Sequence, residues 1–246
     1  MSVLLVTDER FLDHVAGRRH PECPARLTAV LDGIDAAGLG DALVRRAPLP
    51  VDDVDLLRVH RSDHVEALVE LDAAGGGRLD PDTTMGPGSW QAARLAAGAG
   101  LVAIDGLRNG DAEVAFCAVR PPGHHATPTR TMGFCLLNNV AVAAASLADA
   151  GERVAIVDID AHHGNGTQSI FWERADVLFT SLHGHPADAF PYFLGYEDGT
   201  GAGPGEGHTA NYPMRPGTGF DEWGTALGDA CRRILAHRPD ALVVSL

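Results

Sequence analysis

The segment VAIVDIDAHHGNGTQ, residues 154–168, most strongly limits the folds open to this chain. Four apolar residues are followed at once by two aspartates, two adjacent histidines and two glycines. A short, continuous apolar run is typical of a strand buried on both faces, as in parallel sheets covered by helices. Unpaired carboxylates at the end of such a strand would be costly to bury, so they need cations, donors or a metal. The segment therefore predicts a parallel sheet with a functional site at the carboxyl end of this strand.

Strands and helices alternate along the rest of the chain. We predict strands at 3–7, 113–119, 153–160, 177–183 and 241–246, and helices at 25–37, 62–74, 90–107, 138–150, 165–173 and 221–236. Ser89 is expected to cap the third helix, and the Gly- and Pro-rich stretches 75–88 and 184–219 are expected to be loops. This order predicts an α/β fold, a three-layer open parallel sheet with helices on both faces.

Composition and charge restrict the partners and the location of the chain. A formal net charge of −14 disfavours nucleic acid and attracts cationic ligands. Neither a spanning apolar stretch nor a signal peptide is visible, and the four cysteines form no C-x-x-C pair. We therefore expect a cytoplasmic protein with no membrane partner. Because no linker divides the chain, we expect a single catalytic domain over residues 1–246.

The strand-end segment offers metal ligands. If the extended conformation continues, Asp158, Asp160 and His162 point to one face, whereas Ile159 and Ala161 point to the other. Aspartate and histidine in a D-x-H arrangement supply one oxygen and one nitrogen, a suitable pair for Zn²⁺. The alternative is that the aspartates only cap a helix, which leaves the second aspartate and the second histidine without a role.

A second polar cluster, RPPGHHATPTRTMGFCLLNN at 120–139, follows another predicted strand and should lie at the same sheet edge. Its adjacent histidines, His124 and His125, could supply a general base and a general acid near neutral pH. Asp158 and Asn165 are candidate partners for their second ring nitrogens. The other histidines that we considered are expected at surface or helix positions; they are His14, His60, His64 and His237.

Seven stretches together resemble the histone deacetylase superfamily, in particular its bacterial branch of acetylpolyamine amidohydrolases and acetoin-utilisation-type proteins. They are HPECPARL (20–27), RPPGHHA (120–126), GFCLLNNVAVAA (133–144), VDIDAHHGNGTQ (157–168), SLH (181–183), FPYF (190–193) and the GHTANYP stretch near 203–213. The resemblance implies the arginase/deacetylase fold. It also implies a zinc-dependent amidohydrolase that removes acetyl or other short acyl groups from acetyl-lysine or acetylpolyamines.

The resemblance also assigns roles to individual residues. Asp160 and His162 match two zinc ligands of the family. His125 matches its general base and His124 the electrostatic partner or acid. The orienting residues would be Asp158 for His124 and Asn165 for His125.

Further residues match the substrate tunnel and a structural ion site. Gly133, Phe134 and Phe190 match the tunnel of the family, although the two phenylalanines could instead be ordinary core residues. Asp80 or Asp82 would be the rim carboxylate. A structural K⁺ would be held at Asp158, Asp160, His162, Ser181 and Leu182.

The resemblance stops short of a complete site. In the family a third zinc ligand, an Asp in a D-P-L stretch, and a transition-state-stabilising Tyr follow the strand that matches ALVVSL, beyond residue 246. We therefore expect residues 1–246 to be an incomplete and inactive fragment. The substrate would be a small acylated amine or an acetyl-lysine protein. The sequence does not determine the oligomeric state, and a homo-oligomer is one of the possibilities. Two alternative functions remain. One is an arginase-like binuclear manganese ureohydrolase, although Gly164 occupies the position of the aspartate that bridges the two metals in such enzymes. The other is a non-catalytic protein that binds acylated amines.

Overall fold

The computed structural model describes residues 2–246, which form two compact units, one up to Ala143 and one from Ala144. Within these residues the strands are β1 (Val3–Val6), β2 (Leu43–Arg46), β3 (Gly77–Arg78), β4 (Thr84–Met85), β5 (Val114–Cys117), β6 (Val154–Asp158), β7 (Val177–Gly184), β8 (Thr209–Met214) and β9 (Ala241–Ser245). The helices are α1 (Ala25–Ala36), α2 (Asp53–Leu56), α3 (Ser62–Ala73), α4 (Ser89–Arg108), α5 (Asn139–Asp149), α6 (Asn165–Phe171) and α7 (Phe220–His237). The predicted α/β class is confirmed.

The first unit contains a parallel sheet in the order β2-β1-β5. The central strand β1 buries Leu4, Leu5 and Val6 completely. The long helix α4 packs on it with a face made largely of alanine, which lets the helix approach closely. A short antiparallel hairpin of β3 and β4 lies between α3 and α4. The sheet places the carboxyl end of β5 just before the segment that contains His124 and His125.

The second unit contains a parallel sheet in the order β8-β7-β6-β9. Every residue of β6 is buried, as expected for the continuous apolar run that opened the sequence. In the register, Asp158 at the end of β6 pairs with Ser181 of β7 on one side and Ser245 of β9 on the other. Helix α7 covers one face through Ala230 and Ile234. The polar end of β6 therefore lies between two neighbouring strands, of which β7 continues past it to Gly184 and β9 ends beside it at Ser245.

Three sequence expectations need correction. The parallel strands are divided between two sheets, and the segments predicted as loops contain β8 and the β3–β4 hairpin. Strand β8 includes Pro213, which lacks an N–H donor, and it is tolerated because β8 is an edge strand. Ser89 is the first residue of α4 rather than its cap, which is Gly88. The hydroxyl of Ser89 instead accepts a hydrogen bond from the Gly86 N–H at 2.9 Å.

Across residues 2–246, none of the helices has the length and hydropathy that crossing a lipid bilayer requires. The prediction of one catalytic domain over the whole chain stays a prediction.

Candidate active site

Polar and apolar side chains have different surroundings at the end of β6, although residues 160–162 form a bend and do not continue the strand. Asp158 is fully buried, and its Oδ1 accepts a hydrogen bond from the Asp160 N–H at 3.2 Å. Ile159 packs on the opposite side, against the core beneath α7. Ile159 and Ala161 line a cavity of about 570 Å³, and neither Asp160 nor His162 borders it. The two candidate metal ligands thus lie away from this cavity.

The donor atoms of Asp160 and His162 converge. Asp160 Oδ1 lies 3.1 Å from His162 Nδ1 and also accepts the His162 N–H at 2.7 Å. Two ligands at about 2.0–2.1 Å from a tetrahedral zinc lie about 3.3 Å apart, so this spacing fits adjacent corners of such a site. Among residues 2–246 no group of three His, Cys, Asp or Glu side chains is arranged to hold a metal. The described residues thus fit two positions of a zinc site.

Gly164 bears on the number of metals. A Cβ atom at this position would overlap the Asp158 carboxylate and come within 3.2 Å of the Phe179 ring. A bridging aspartate, as in an arginase-like binuclear site, would not fit here without displacement of the Asp158 side chain. Asn165 follows as the first residue of α6 and is buried. Its position after the turn agrees with the order of the motif.

The residues expected to hold potassium lie beside the same strand end. Ser181 and Leu182 belong to β7 and are buried. Ser181 Oγ lies 2.9 Å from Nδ1 of His183, whose Nε2 lies 2.9 Å from the Gly195 carbonyl. Burial lowers the pKa of His183, so this imidazole is neutral at physiological pH. The contacts of His183 make it a support of β7 and the following loop.

Phe190 lies near the ligand pair rather than in the main core. It is half-buried, and its ring meets the His162 ring edge-on, with 6.2 Å between centroids. The next aromatic residues along the chain, Tyr192 and Phe193, are exposed. This placement favours the tunnel-wall interpretation over ordinary core packing.

In the first unit, the tandem histidines occupy a tight turn. The Ala126 N–H donates to the Gly123 carbonyl at 3.0 Å, so His124 and His125 are its two central residues. Both are buried, and their ring centroids lie 3.9 Å apart. A Cβ at Gly123 would lie 2.5 Å from the Asn139 nitrogen, so only glycine permits this approach of the chain to the start of α5.

Two buried histidines brace this turn. His64 lies in α3, in agreement with the expected surface or helix position, whereas His60 is buried outside the helices, so for His60 that expectation is wrong. His60 Nε2 accepts the Asn138 N–H at 2.9 Å, and its Nδ1 lies 3.0 Å from the Thr127 carbonyl. His64 Nε2 lies 3.1 Å from the Leu136 carbonyl, and its ring stacks on that of His60 at 4.9 Å. Since His60 bonds both ends of the segment 127–138, it holds the chain that follows the histidine turn.

Burial lowers the pKa of His60 to about 3. In the unfolded chain His60 binds a proton near pH 6.5, whereas in the folded chain it stays neutral down to about pH 3. The free energy of unfolding must therefore fall as the pH drops below 6.5. We expect His60 to contribute a slope of about 1.4 kcal/mol per pH unit between pH 6 and 4. His60→Gln should show a flatter decline than the wild type in urea denaturation across this range. Parallel declines in the two proteins would contradict the assignment.

Phe134 adopts a conformation that bulky residues rarely take. Its φ is 70°, after Gly133 at 56°, and such left-handed geometry costs about 1–2 kcal/mol for a residue with a side chain. The Phe134 N–H donates to the Thr83 hydroxyl at 3.0 Å. The Phe134 ring is half-buried and meets the His20 ring edge-on, with 4.8 Å between centroids. The sequence identified Phe134 but gave no sign of these partners.

A buried ion pair precedes the histidine turn. Arg120 Nε donates to Glu22 Oε1 at 2.8 Å, and both side chains are buried. The same guanidinium donates to the carbonyls of Phe11 at 2.6 Å and His14 at 2.9 Å. His14 is buried outside the helices, which corrects its expected surface or helix position, and burial lowers its pKa to about 4. Glu22 and Arg120 both fall inside recognised motifs, but only the tertiary structure shows that they pair.

Comparison with known sequences finds a matching family and several relatives. The histone deacetylase domain model matches residues 20–246. The chain is 40% identical over 269 residues to acetylpolyamine amidohydrolase 1 of Pseudomonas aeruginosa, covering 94% of the chain and 77% of that protein. It is 51% identical over 166 residues to the acetylpolyamine amidohydrolase of Mycoplana ramosa, covering 67% of the chain and 48% of that protein. The chain thus spans about half the length of one relative and about three quarters of the other.

Solved structures agree. The crystal structure of the HDA15 HD domain matches with a TM-score of 0.93 at 37% identity, over 100% of this chain and 72% of that one. An acetylpolyamine aminohydrolase from Burkholderia pseudomallei matches with a TM-score of 0.89 at 31% identity, over 100% and 82%. Both confirm the arginase/deacetylase fold, and the relatives support a deacetylase or amidohydrolase function. The chain belongs to the histone deacetylase family, in the bacterial branch of the acetylpolyamine amidohydrolases.

Proposed function

We propose that this chain is the catalytic part of a zinc-dependent amidohydrolase that removes acetyl or other short acyl groups from amines. The observation that carries the proposal is the 3.1 Å approach of Asp160 Oδ1 to His162 Nδ1 at the end of β6. These two side chains would supply two of the ligands of the zinc ion. Zinc, when bound, polarises an amide carbonyl and lowers the pKa of water.

The proposed roles of the other residues follow from their chemistry. His125 accepts a proton as general base, and His124 stabilises charge or acts as acid. Asp158 and Asn165 orient these imidazoles, as the resemblance implies. Phe134 and Phe190 are the aromatic walls, with Gly133 giving the chain its left-handed turn beside Phe134.

A structural potassium ion is the second proposed cofactor. Its ligands would be the main chain around Asp158, Asp160, His162 and Leu182, together with the Ser181 hydroxyl. The buried Ser181 and its pairing with Asp158 fit this role, because Ser181, within β7, lies beside the end of β6. Potassium would fix the geometry of the strand end that carries the zinc ligands.

The proposed substrates are acylated cationic amines, either acetylpolyamines or acetyl-lysine in a protein. Two relatives are named acetylpolyamine amidohydrolases, and the formal net charge of −14 favours encounter with cations. Salt should screen this attraction, because the Debye length is about 10 Å at 0.1 M. We also propose that the protein is cytoplasmic and does not bind nucleic acid.

The test is metal removal and restoration in the full-length protein. Zinc content is measured as purified, after chelation and after addition of Zn²⁺, alongside hydrolysis of acetylputrescine and an acetyl-lysine peptide. We expect one zinc per chain, loss of hydrolysis on chelation and recovery with Zn²⁺. Cleavage restored only by Mn²⁺, with release of urea from a guanidine substrate, would support the arginase-like alternative. Metal-loaded protein that binds acylated amines without cleaving them would identify a binding protein.

A further inference from the structure

The hydroxyl group of Thr83 lies between the main chain of Phe134 and the carboxylate of Asp82. It accepts the Phe134 N–H at 3.0 Å and donates to Asp82 Oδ1 at 3.2 Å. Thr83 is 1% exposed, so water does not compete readily for either bond. A hydroxyl has one proton to donate and can accept others, and here both capacities are used. Loss of this one group would release both partners.

His20 joins the same two residues from another side. Its Nδ1 accepts the Glu22 N–H at 3.1 Å, which leaves the proton on Nε2 to donate to the Asp82 carbonyl at 3.0 Å. The edge of the same ring meets the Phe134 ring. Phe134 and Asp82 are therefore tied to each other twice, through Thr83 and through His20.

The loop that carries Asp82 is itself braced. The Thr83 carbonyl accepts the N–H groups of Leu79 at 2.9 Å and Asp80 at 3.3 Å, and the Asp82 N–H donates to Asp80 Oδ1 at 2.9 Å. Arg78 donates to the Asp80 carbonyl at 2.8 Å. The loop can thus transmit a fixed position from Thr83 to the Asp82 carboxylate.

We propose that Thr83 is a positioning residue that fixes the spacing between the Phe134 ring and the Asp82 carboxylate, and so selects the chain length of the acylated amine. The inference rests on the proposed function. If Phe134 lines the channel for the methylene chain of the substrate, the ammonium group at the far end of that chain meets the Asp82 carboxylate only at one chain length. The number of methylenes must match the spacing between the Phe134 ring and the carboxylate. Because Thr83 holds Phe134 and Asp82 at a fixed spacing, substrates with a different number of methylenes should bind less well.

The experiment compares Thr83→Val with Thr83→Ser in the full-length protein. Valine has nearly the shape of threonine without the hydroxyl, whereas serine keeps the hydroxyl and serves as the matched control. Amide hydrogen exchange of Phe134, followed by NMR, reports the bond directly. The ratio of kcat/KM for acetylputrescine to that for acetylcadaverine, which has one more methylene, reports selection. Acetylbutylamine, which lacks the ammonium, separates wall effects from charge effects.

We expect Thr83→Val to speed Phe134 amide exchange at least about tenfold and to bring the ratio for the two acetyldiamines close to one, mainly through KM. Hydrolysis of acetylbutylamine should change less, and Thr83→Ser should match the wild type in both readouts. His20→Gln, which leaves the Thr83 hydroxyl in place, should also bring the ratio closer to one, and it replaces Thr83→Val if that variant folds poorly.

The outcomes are distinguishable. Unchanged Phe134 exchange in Thr83→Val, or an unchanged ratio in an active enzyme, would overturn the positioning role alone. A wild type that preferred neither diamine would also overturn it. A zinc-loaded wild type that cleaves no acylated amine would overturn the proposed function, and this inference with it.

Discussion

Replacement of His162 by Ala is expected to abolish stoichiometric zinc binding and acylamine hydrolysis together. His162 Nδ1 and Asp160 Oδ1, 3.1 Å apart, are the two donor atoms that the described residues bring together. Loss of residues that merely support metal ligands typically lowers metal affinity or activity 10–100-fold, so loss of a ligand should lower it by more than about 100-fold. Asp160→Ala should behave in the same way, because each leaves a single donor at the strand end.

The measurement is metal content after dialysis at a fixed free Zn²⁺ concentration, with kcat/KM on acetylputrescine. His208→Ala is the matched control, because His208 precedes β8, at the opposite end of the strands from His162. It should retain zinc and activity. Stoichiometric zinc retained in both Asp160→Ala and His162→Ala would remove these residues from the ligand set.

Replacement of Arg120 by Met should lower the free energy of unfolding by about 3–5 kcal/mol, because it leaves the Glu22 carboxylate buried and without its cation. Glu22 is 0% exposed and Arg120 is 3% exposed, so solvent cannot compensate. The carbonyls of Phe11 and His14 also lose their guanidinium donor. Since Arg120 immediately precedes the PPGHH turn, the damage should extend to the histidine pair.

Urea denaturation at pH 7.5 measures the effect. Arg10→Met is the control, since Arg10 pairs with Asp8 at 2.7 Å but its side chain is 45% exposed, and an exposed pair contributes at most about 1 kcal/mol. The double variant Arg120→Met/Glu22→Leu should recover part of the loss, because it removes the stranded charge as well. If Arg120→Met and Arg10→Met lowered the free energy of unfolding equally, the buried ion pair would contribute no more to stability than an exposed one.

The best-predicted features are those that neighbouring residues encode. Helices α1 and α3 begin and end within about a residue of their predicted bounds, because their patterns of polar and apolar residues and their terminal signals are local. The apolar run of β6 and its polar end likewise sufficed to place Asp158, Asp160 and His162. By contrast, β8 has no run of apolar residues and contains Pro213, and only pairing with β7 makes it a strand.

What the sequence by itself determined is the α/β class, the family and the segments that carry the candidate site. Only the tertiary structure decided which polar side chains support those segments. His60 meets Asn138 across 78 residues of sequence, Arg120 meets Glu22 across 98, and Thr83 meets Phe134 across 51. A buried polar group must find a partner, but its sequence neighbours do not say which one, because the partner is fixed by how distant elements pack.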